Sequence, residues 1–370
     1  MLIHGYHPRV GGAERQLAAL IPFLSSEDVM VDVVTRQHPG LSSYDEIDGV
    51  PVYRLPVPGP KVIASLSFTI AALNLLRKLE PDIIHAHEIF STTTTAVTAK
   101  RLLGQPIVAT LHGGGAYNEI VRLKKKFLGK YRLKTFKKAV DSFVVISNEL
   151  DAELKAVGVS ERRRSFIPNG VDTDYFKPLS KNEKFPLRSE LGLPNSFLVI
   201  FTGRLAPEKR LDDLISIWPV IRAKYPDACL LILGTGSEMP RLKKKAGTGI
   251  IFKGVVNTVL PYLQAADIFV LPSEREGLSV ALLEAMSVGL PVLATNVGGT
   301  PDVVTHNDSG WLVPYGEPHQ LQDGLDKLLI DSDLRKQLGT RARERVVNEY
   351  SLPVVAKRLA GLYQDLVLMH

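Results

Sequence analysis

Asp267-Ile-Phe-Val-Leu-Pro-Ser-Glu-Arg-Glu-Gly-Leu-Ser-Val-Ala-Leu-Leu-Glu-Ala-Met286 is an apolar run, a polar loop and a second apolar stretch of helical length, and Pro291-Val-Leu-Ala-Thr295 follows it. Short apolar strands separated by helices indicate a parallel sheet covered on both faces. The pattern puts Glu276 on the loop leaving a strand and Glu284 about two turns into the next helix, among Ala281, Leu282, Leu283, Ala285 and Met286. A carboxylate in apolar surroundings is costly unless something satisfies it. Glu284 by itself reads equally as a surface glutamate facing water. Glu276, Gly277 and Glu284 together, at the mouth of a strand-loop-helix unit, favour a ligand site.

The same alternation runs outward in both directions. Predicted strands in the first half are 29–35, 50–55, 82–86, 106–111, 142–146 and 165–168, with helices over 13–24, 64–79 and 148–157. The second half restarts at 197–202 and continues through 229–233, 250–253, 267–271 and 291–295. This predicts an α/β fold of two doubly wound, Rossmann-like domains with a cleft between them. The polar, proline-flanked stretch Lys177–Pro186 is the linker candidate. The expected domains are 1–177 and 178–350, and residues 351–370 form an amphipathic helix packing back toward the first domain, with Val355, Leu359, Leu362 and Leu366 at helical steps.

At 370 residues the chain is long for one domain and comfortable for two. The longest apolar stretch, Val62–Leu76, is interrupted by Ser65, Ser67, Thr69 and Asn74, so no transmembrane helix is expected. The N-terminus shows no secretory signal, and the single cysteine, Cys229, excludes a disulfide framework; both agree with a cytoplasmic location. The net charge of +6 is uneven: residues 1–180 carry 23 Lys+Arg against 18 Asp+Glu, residues 181–370 carry 22 against 21. Much of the excess lies in Arg122–Lys138, with nine basic residues and no acidic one. Nucleic acid, an anionic membrane or an anionic substrate each suits such a segment.

In doubly wound sheets ligands bind beyond the carboxyl ends of strands. After 197–202 come Gly203, Arg204 and Lys209, cations suited to phosphate oxygens; opposite them a helix begins near Leu278, and the pairing suits a diphosphate, with Glu284 accepting from ribose hydroxyls. The first strand is short, Met1–His4, which leaves a start upstream open; Gly11 and Gly12 then precede a helix, where backbone N–H groups can face an anion. Gly234-Thr-Gly236 has Met239 where a dinucleotide fingerprint needs glycine and is discounted. His85 and His87, with Glu88 beside them, read as a metal pair or as structural histidines, and the missing further ligand favours the latter. His112, at a strand mouth before Gly113-Gly-Gly115, is placed for a substrate.

Several of these stretches closely resemble glycosyltransferase family 4, the retaining nucleotide-sugar transferases of the GT-B fold (group 1 glycosyltransferases). The resemblance runs through Val10-Gly-Gly-Ala-Glu14, His85-Ala-His87, Thr110-Leu-His-Gly113, Ile167-Pro-Asn-Gly-Val-Asp172, Gly203-Arg-Leu205 with Lys209, the Glu276–Glu284 pair and Pro291-Val-Leu-Ala-Thr-Asn-Val-Gly-Gly299. It implies that Arg204 and Lys209 hold the donor pyrophosphate, Glu284 the ribose, and Glu276 the donor sugar. Amides at Gly277, Leu278 and Ser279 would support sugar and phosphate. Gly11 and Gly12 would approach the phosphate and acceptor, His112 would orient the transferred sugar, and Asn169 and Gly170 would shape the cleft. No cofactor and no metal are implied, because Arg and Lys take the metal's place. The implied reaction is a hexosyl transfer with retention from a UDP- or GDP-linked sugar to a hydroxyl acceptor, of the glycolipid or lipid-linked kind. A nucleotide-sugar 2-epimerase of the same fold and a non-catalytic sugar-binding protein are the alternatives; the acidic pair argues against the first and the intact Arg204, Lys209 and Glu276 against the second. For Arg122–Lys138, Ile120, Leu123, Phe127 and Tyr131 recur at helical spacing, predicting a helix with one packed face. Such a helix suits peripheral docking on the anionic inner membrane face. No nucleic-acid module accompanies it.

Overall fold

The computed structural model describes residues 1–8, 11–113, 118–126 and 128–370. Val10, Gly114, Gly115 and Phe127, all cited above, lie outside them. The chain divides into two compact units, 1–169 together with 352–370, and 170–351.

Unit 1 carries β1 (Val33–Arg36), β2 (Tyr44–Ile47), β3 (Val50–Leu55), β4 (Ile84–His87), β5 (Ile107–Leu111), β6 (Ser142–Val145) and β7 (Arg164–Phe166). Strands β2-β3-β1 and β4-β5-β6-β7 form two ladders, parallel except for β2. Residues 1–3 join them: Leu2 bridges both Val34 and Ala86, and its N–H and C=O bond to His85 O at 2.7 Å and His87 N at 2.8 Å. The short first strand is therefore the centre of the sheet, with Leu2 and Ile3 fully buried. Strand β2 escaped the sequence reading because its residues are polar and mostly exposed. Its signal was the turn Asp48-Gly49, both residues at positive φ (52° and 77°), the geometry that two-residue hairpins demand.

Unit 2 carries β8 (Leu198–Thr202), β9 (Cys229–Leu233), β10 (Ile250–Gly254), β11 (Ile268–Leu271), β12 (Val292–Thr295) and β13 (Trp311–Val313). All pairs are parallel, in the order β10-β9-β8-β11-β12-β13. Counted from β8 this is the dinucleotide-fold order 3-2-1-4-5-6, with its switch point between β8 and β11.

The division falls at 169/170 rather than 177/178, and Lys177–Pro186 is not a linker. Val171 N donates to Tyr350 O at 2.9 Å, and Phe176 O accepts from Ser287 Oγ at 2.6 Å. Lys181–Glu190 is a helix started by the Ser180/Glu183 capping box, and its buried Arg188 pairs with Asp267 at 2.7 Å. The last helix, Leu352–Leu368, belongs to unit 1, where Val355, Leu359 and Tyr363 share a core with Leu20, Leu24, Val108 and Val144.

The helix Lys61–Leu79 corrects another expectation. It is long and apolar enough to cross a membrane, with mean hydropathy 1.5 over Val62–Leu79. Here it is a surface helix: Ala64, Phe68, Ala72 and Leu76 are buried, while Val62, Ile63, Leu66 and Ile70 are each more than half exposed.

Candidate functional site

The loops leaving β8 and β11 meet at the switch point of unit 2. Lys209 Nζ lies 2.6 Å from Glu276 Oε1, and Ser273 Oγ donates to the same oxygen at 2.6 Å. Both side chains of the pair are largely buried. Arg204, by contrast, is 65% exposed and pairs with Glu208 at 2.9 Å, four residues on. Glu274 N donates to Glu208 O at 2.8 Å, so backbone as well as side chains tie the two loops together. A third loop closes on them. Gly298 has φ +56°, and a Cβ there would stand 1.9 Å from Glu276 O. Gly299 N donates to Gly277 O at 2.8 Å. The discounted Gly234-Thr-Gly236 has a structural task, since Leu205 N donates to Thr235 O and Gly203 N to Leu233 O.

The helix after β11 is Val280–Ser287, with Ser279 as its N-cap accepting from Leu282 N at 3.3 Å. Glu284 is its fifth residue, little more than one turn in rather than two. The helix buries Leu282, Leu283, Ala285 and Met286 against the sheet and leaves Glu284 half-buried. The structure thus brings Arg204, Lys209, Glu276, Gly277, Leu278 and Ser279 to one edge of one sheet, with a helix N-terminus beside them.

In unit 1, Gly11 N-caps the helix Gly12–Ser25, and its N–H donates to Glu14 Oε2 at 2.9 Å, so the helix's own glutamate takes that amide. His112 stacks on His87 (centroids 5.3 Å, planes 14°), which stacks on His85 (4.5 Å, 21°). His87 Nδ1 and His112 Nε2 are 3.0 Å apart. His85 bonds Thr110 Oγ1 at 2.6 Å and the Tyr363 hydroxyl. Burial holds all three imidazoles neutral, His85 down to about 3, His112 to about 4 and His87 well below its usual value. Among the described residues no group of three His, Cys, Asp or Glu has the arrangement of a metal site.

Glu119 had no sequence signal. It is buried, accepts from Ile89 N (2.8 Å), His112 N (2.8 Å) and Gly113 N (3.1 Å), and burial pushes its carboxyl up to about 7. It therefore fixes the backbone that carries His112. Neither the partner of Arg204, Glu208, nor Ser273 and Glu119 was read from the sequence.

The basic segment is two helices, Glu119–Lys124 and Gly129–Ala139, not one. Leu128 adopts φ +52° at the break, and a Cβ on Gly129 would meet Leu123 O at 1.8 Å. Ile120 and Leu123 pack inward, but Tyr131 is 65% exposed. Arg132 is used structurally, donating to Phe90 O and Thr94 Oγ1 at 2.7 Å each, and Arg122 and Lys126 lie over the Phe90 ring. Lys124, Lys125, Lys130, Lys134 and Lys138 face outward.

A surface hollow lined by Phe185, Arg188, Pro194 and Asp267 lies at the opposite, amino-terminal end of the unit 2 sheet. Asp267 there is already bound by Lys184, Arg188 and Leu198 N.

Comparison with known proteins adds a second line. The family profile described as "Glycosyltransferase Family 4" matches residues 10–175, and that described as "Glycosyl transferases group 1" matches 183–345. The chain is 28% identical to the GDP-mannose-dependent monoacylated alpha-(1-6)-phosphatidylinositol monomannoside mannosyltransferase of Corynebacterium glutamicum, over 99% of this chain and 97% of the relative. It is 29% identical to the UDP-Gal:alpha-D-GlcNAc-diphosphoundecaprenol alpha-1,3-galactosyltransferase of Escherichia coli, over 98% and 95%. Among solved structures, sucrose-phosphate synthase from Thermosynechococcus elongatus superposes with TM-score 0.83 at 22% identity, covering 99% of this chain and 96% of that one. Anabaena HepE in complex with UDP-glucose superposes at 0.80 and 18%, covering 98% of each. The fold is GT-B.

Proposed function

The chain belongs to the family 4, group 1 glycosyltransferases, and from that premise we propose that it moves a hexose, with retention, from a UDP- or GDP-linked donor to a hydroxyl of a lipid-linked acceptor. The observation that carries the reading is the Lys209–Glu276 pair at the β8/β11 switch point, with exposed Arg204 and a helix N-terminus beside it. The cations suit a pyrophosphate and offset charge growing on the leaving nucleotide diphosphate. Glu276 is assigned the donor-sugar hydroxyls, supported by amides of Gly277, Leu278 and Ser279. Glu284 is assigned the ribose. Backbone around Lys253–Val256 is assigned the base, and His112, a neutral imidazole held by His87 and Glu119, the transferred sugar. With Arg204 and Lys209 supplying the positive charge, the reading needs no metal. In the front-face reaction assigned here the departing phosphate takes the acceptor proton, and no protein base is named.

The lipid acceptor is supported by the two relatives, whose names state phosphatidylinositol- and diphosphoundecaprenol-linked acceptors. It is supported too by one face of unit 1. The apolar stripe of Lys61–Leu79 and the lysines of Gly129–Ala139 flank the helix Ser91–Leu103, joined to it by Thr69–Thr95 (2.8 Å) and Arg132–Thr94 (2.7 Å). Leu102, Leu128 and Tyr131 are exposed there as well. An apolar stripe bordered by lysines suits the headgroup region of an anionic cytoplasmic leaflet.

The test is a thermal-shift panel of UDP, GDP and ADP sugars, because a ligand stabilises in proportion to its occupancy. It is followed by product analysis with and without acceptor. No stabilisation by any of them refutes the reading; a C2-inverted sugar nucleotide formed without acceptor makes the protein an epimerase.

A further inference from the structure

Each sheet has a switch point. In unit 2 it lies between β8 and β11 and holds the residues assigned to the donor. In unit 1 the equivalent point lies between residues 1–3 and β4, because Leu2 is bridged to Val34 on one side and Ala86 on the other. His4 leaves the first of these strands and Glu88 the second. His4 Nδ1 is 2.5 Å from Glu88 Oε2, and His4 Nε2 is 2.5 Å from Ser91 Oγ, which also accepts from Arg36 Nη2 at 2.8 Å.

Glu88 is held in an unusual way. Its φ is +68°, a left-handed conformation that favours glycine and is costly for a residue with a Cβ. The backbone is locked there: Glu88 N donates to Thr110 O at 2.9 Å, and its carbonyl accepts from the Thr92 and Thr93 hydroxyls, each at 2.8 Å. The carboxylate remains 37% exposed. Burial acts to raise its pKa, but the bond to His4 and the positive groups around it outweigh that and hold it below the ordinary range. A carboxylate–imidazole contact with this much of the carboxylate open to water adds little stability. A strand end needing only the turn would be served better by glycine. The strain has a return if the carboxylate itself is required.

We propose that Glu88, positioned by His4 and Ser91, is the carboxylate with which unit 1 binds adjacent hydroxyls of a polyhydroxylated acceptor ring. A carboxylate only accepts hydrogen bonds, and its two oxygens match the two donors of a vicinal diol. The proposal rests on the transferase reading, since it names how that reaction's acceptor is held.

Saturation-transfer NMR with myo-inositol and with methyl α-D-mannopyranoside, in the presence of UDP or GDP, tests it. The expected result is transfer to a polyol in the native protein, reduced about tenfold or more by Glu88→Gln and by Glu88→Gly, while Glu88→Gly melts no lower than the native protein. Transfer to neither polyol in the native protein, or equal transfer in Glu88→Gln, overturns the proposal, as does a Glu88→Gly variant that melts lower and still binds. Nucleotide stabilisation in the same samples tests the transferase reading separately. Its survival without polyol binding sinks Glu88's role alone.

Discussion

Lys209 and Glu276, 67 residues apart in sequence, form a largely buried ion pair at 2.6 Å where two loops of unit 2 meet. Removing either partner strands the other charge, at a cost of about 3–5 kcal/mol. Lys209→Ala and Glu276→Ala are each expected to lower both stability and turnover, the latter by orders of magnitude. The double variant should regain part of the stability and none of the activity. Denaturant melts and initial rates on the four proteins check this, and near-normal turnover in either single variant would remove the pair from the site.

Arg204 should behave differently because it is exposed. Arg204→Ala is expected to leave the melting temperature unchanged while weakening nucleoside diphosphate binding by about 10–100-fold, the worth of a charge-assisted hydrogen bond. Calorimetric titration with UDP and GDP reads this directly. Unchanged affinity for both would show that the diphosphate lies elsewhere.

Gly298 tests the backbone closure behind Glu276. A Cβ placed 1.9 Å from Glu276 O, on a residue at φ +56°, forces the two loops apart. Gly298→Ala should cost about 2 kcal/mol or more and reduce turnover without touching any side chain assigned to the donor. A variant as stable and active as the native protein would show that the loops yield freely.

The stacked histidines give unit 1 an acid-sensitive stability. With their pKa values depressed by burial, the unfolded chain takes up protons first, so their contribution is complete above about 6.5 and falls as the pH drops toward 4 and 3. Glu119, raised to about 7, has the opposite sign: it favours the folded state below its ordinary range and loses that contribution as the pH rises to 7. Three imidazoles outweigh one carboxyl, giving a net loss on the order of 3 kcal/mol between pH 7 and 5. Melts across that range, with ¹⁵N shifts of the histidine rings, check it. Higher stability at pH 5, or imidazolium shifts from all three rings, would contradict the buried stack.

For the outer face of unit 1, the expected outcome is co-sedimentation with vesicles containing phosphatidylglycerol and not with phosphatidylcholine alone. Each exposed lysine near the surface contributes about 1 kcal/mol. Lys130→Glu with Lys134→Glu should therefore release the protein, and the neutral change Leu66→Ser should weaken it without changing salt dependence. Equal recovery in the supernatant with both vesicle types would refute membrane docking.

The sequence by itself determined most of the strands and their order, though not β2, β13 or the helix Lys181–Glu190. Apolar runs of strand length alternating with helices fix two doubly wound sheets, since each strand's character is a local property of four to six residues. The residues at strand mouths followed, because Arg204, Lys209, Glu276 and His112 each stand just past an apolar run. Tertiary structure alone decided who meets whom. Sheet order crosses over, so β8 lies beside β11 and residues 1–3 beside β4, and no periodicity carries that adjacency. Lys209 and Glu276, expected at two different parts of a donor, are partners for this reason. The same reason explains why Glu119 reaches three amides on two loops, why the histidines stack, and why His4 finds Glu88 84 residues away. The basic residues of 122–138 were likewise readable, but not the break at Leu128, where Gly129 lies so close to Leu123 O that a Cβ would clash. Nor did the sequence show that the helix Lys61–Leu79 would turn a second apolar face to solvent.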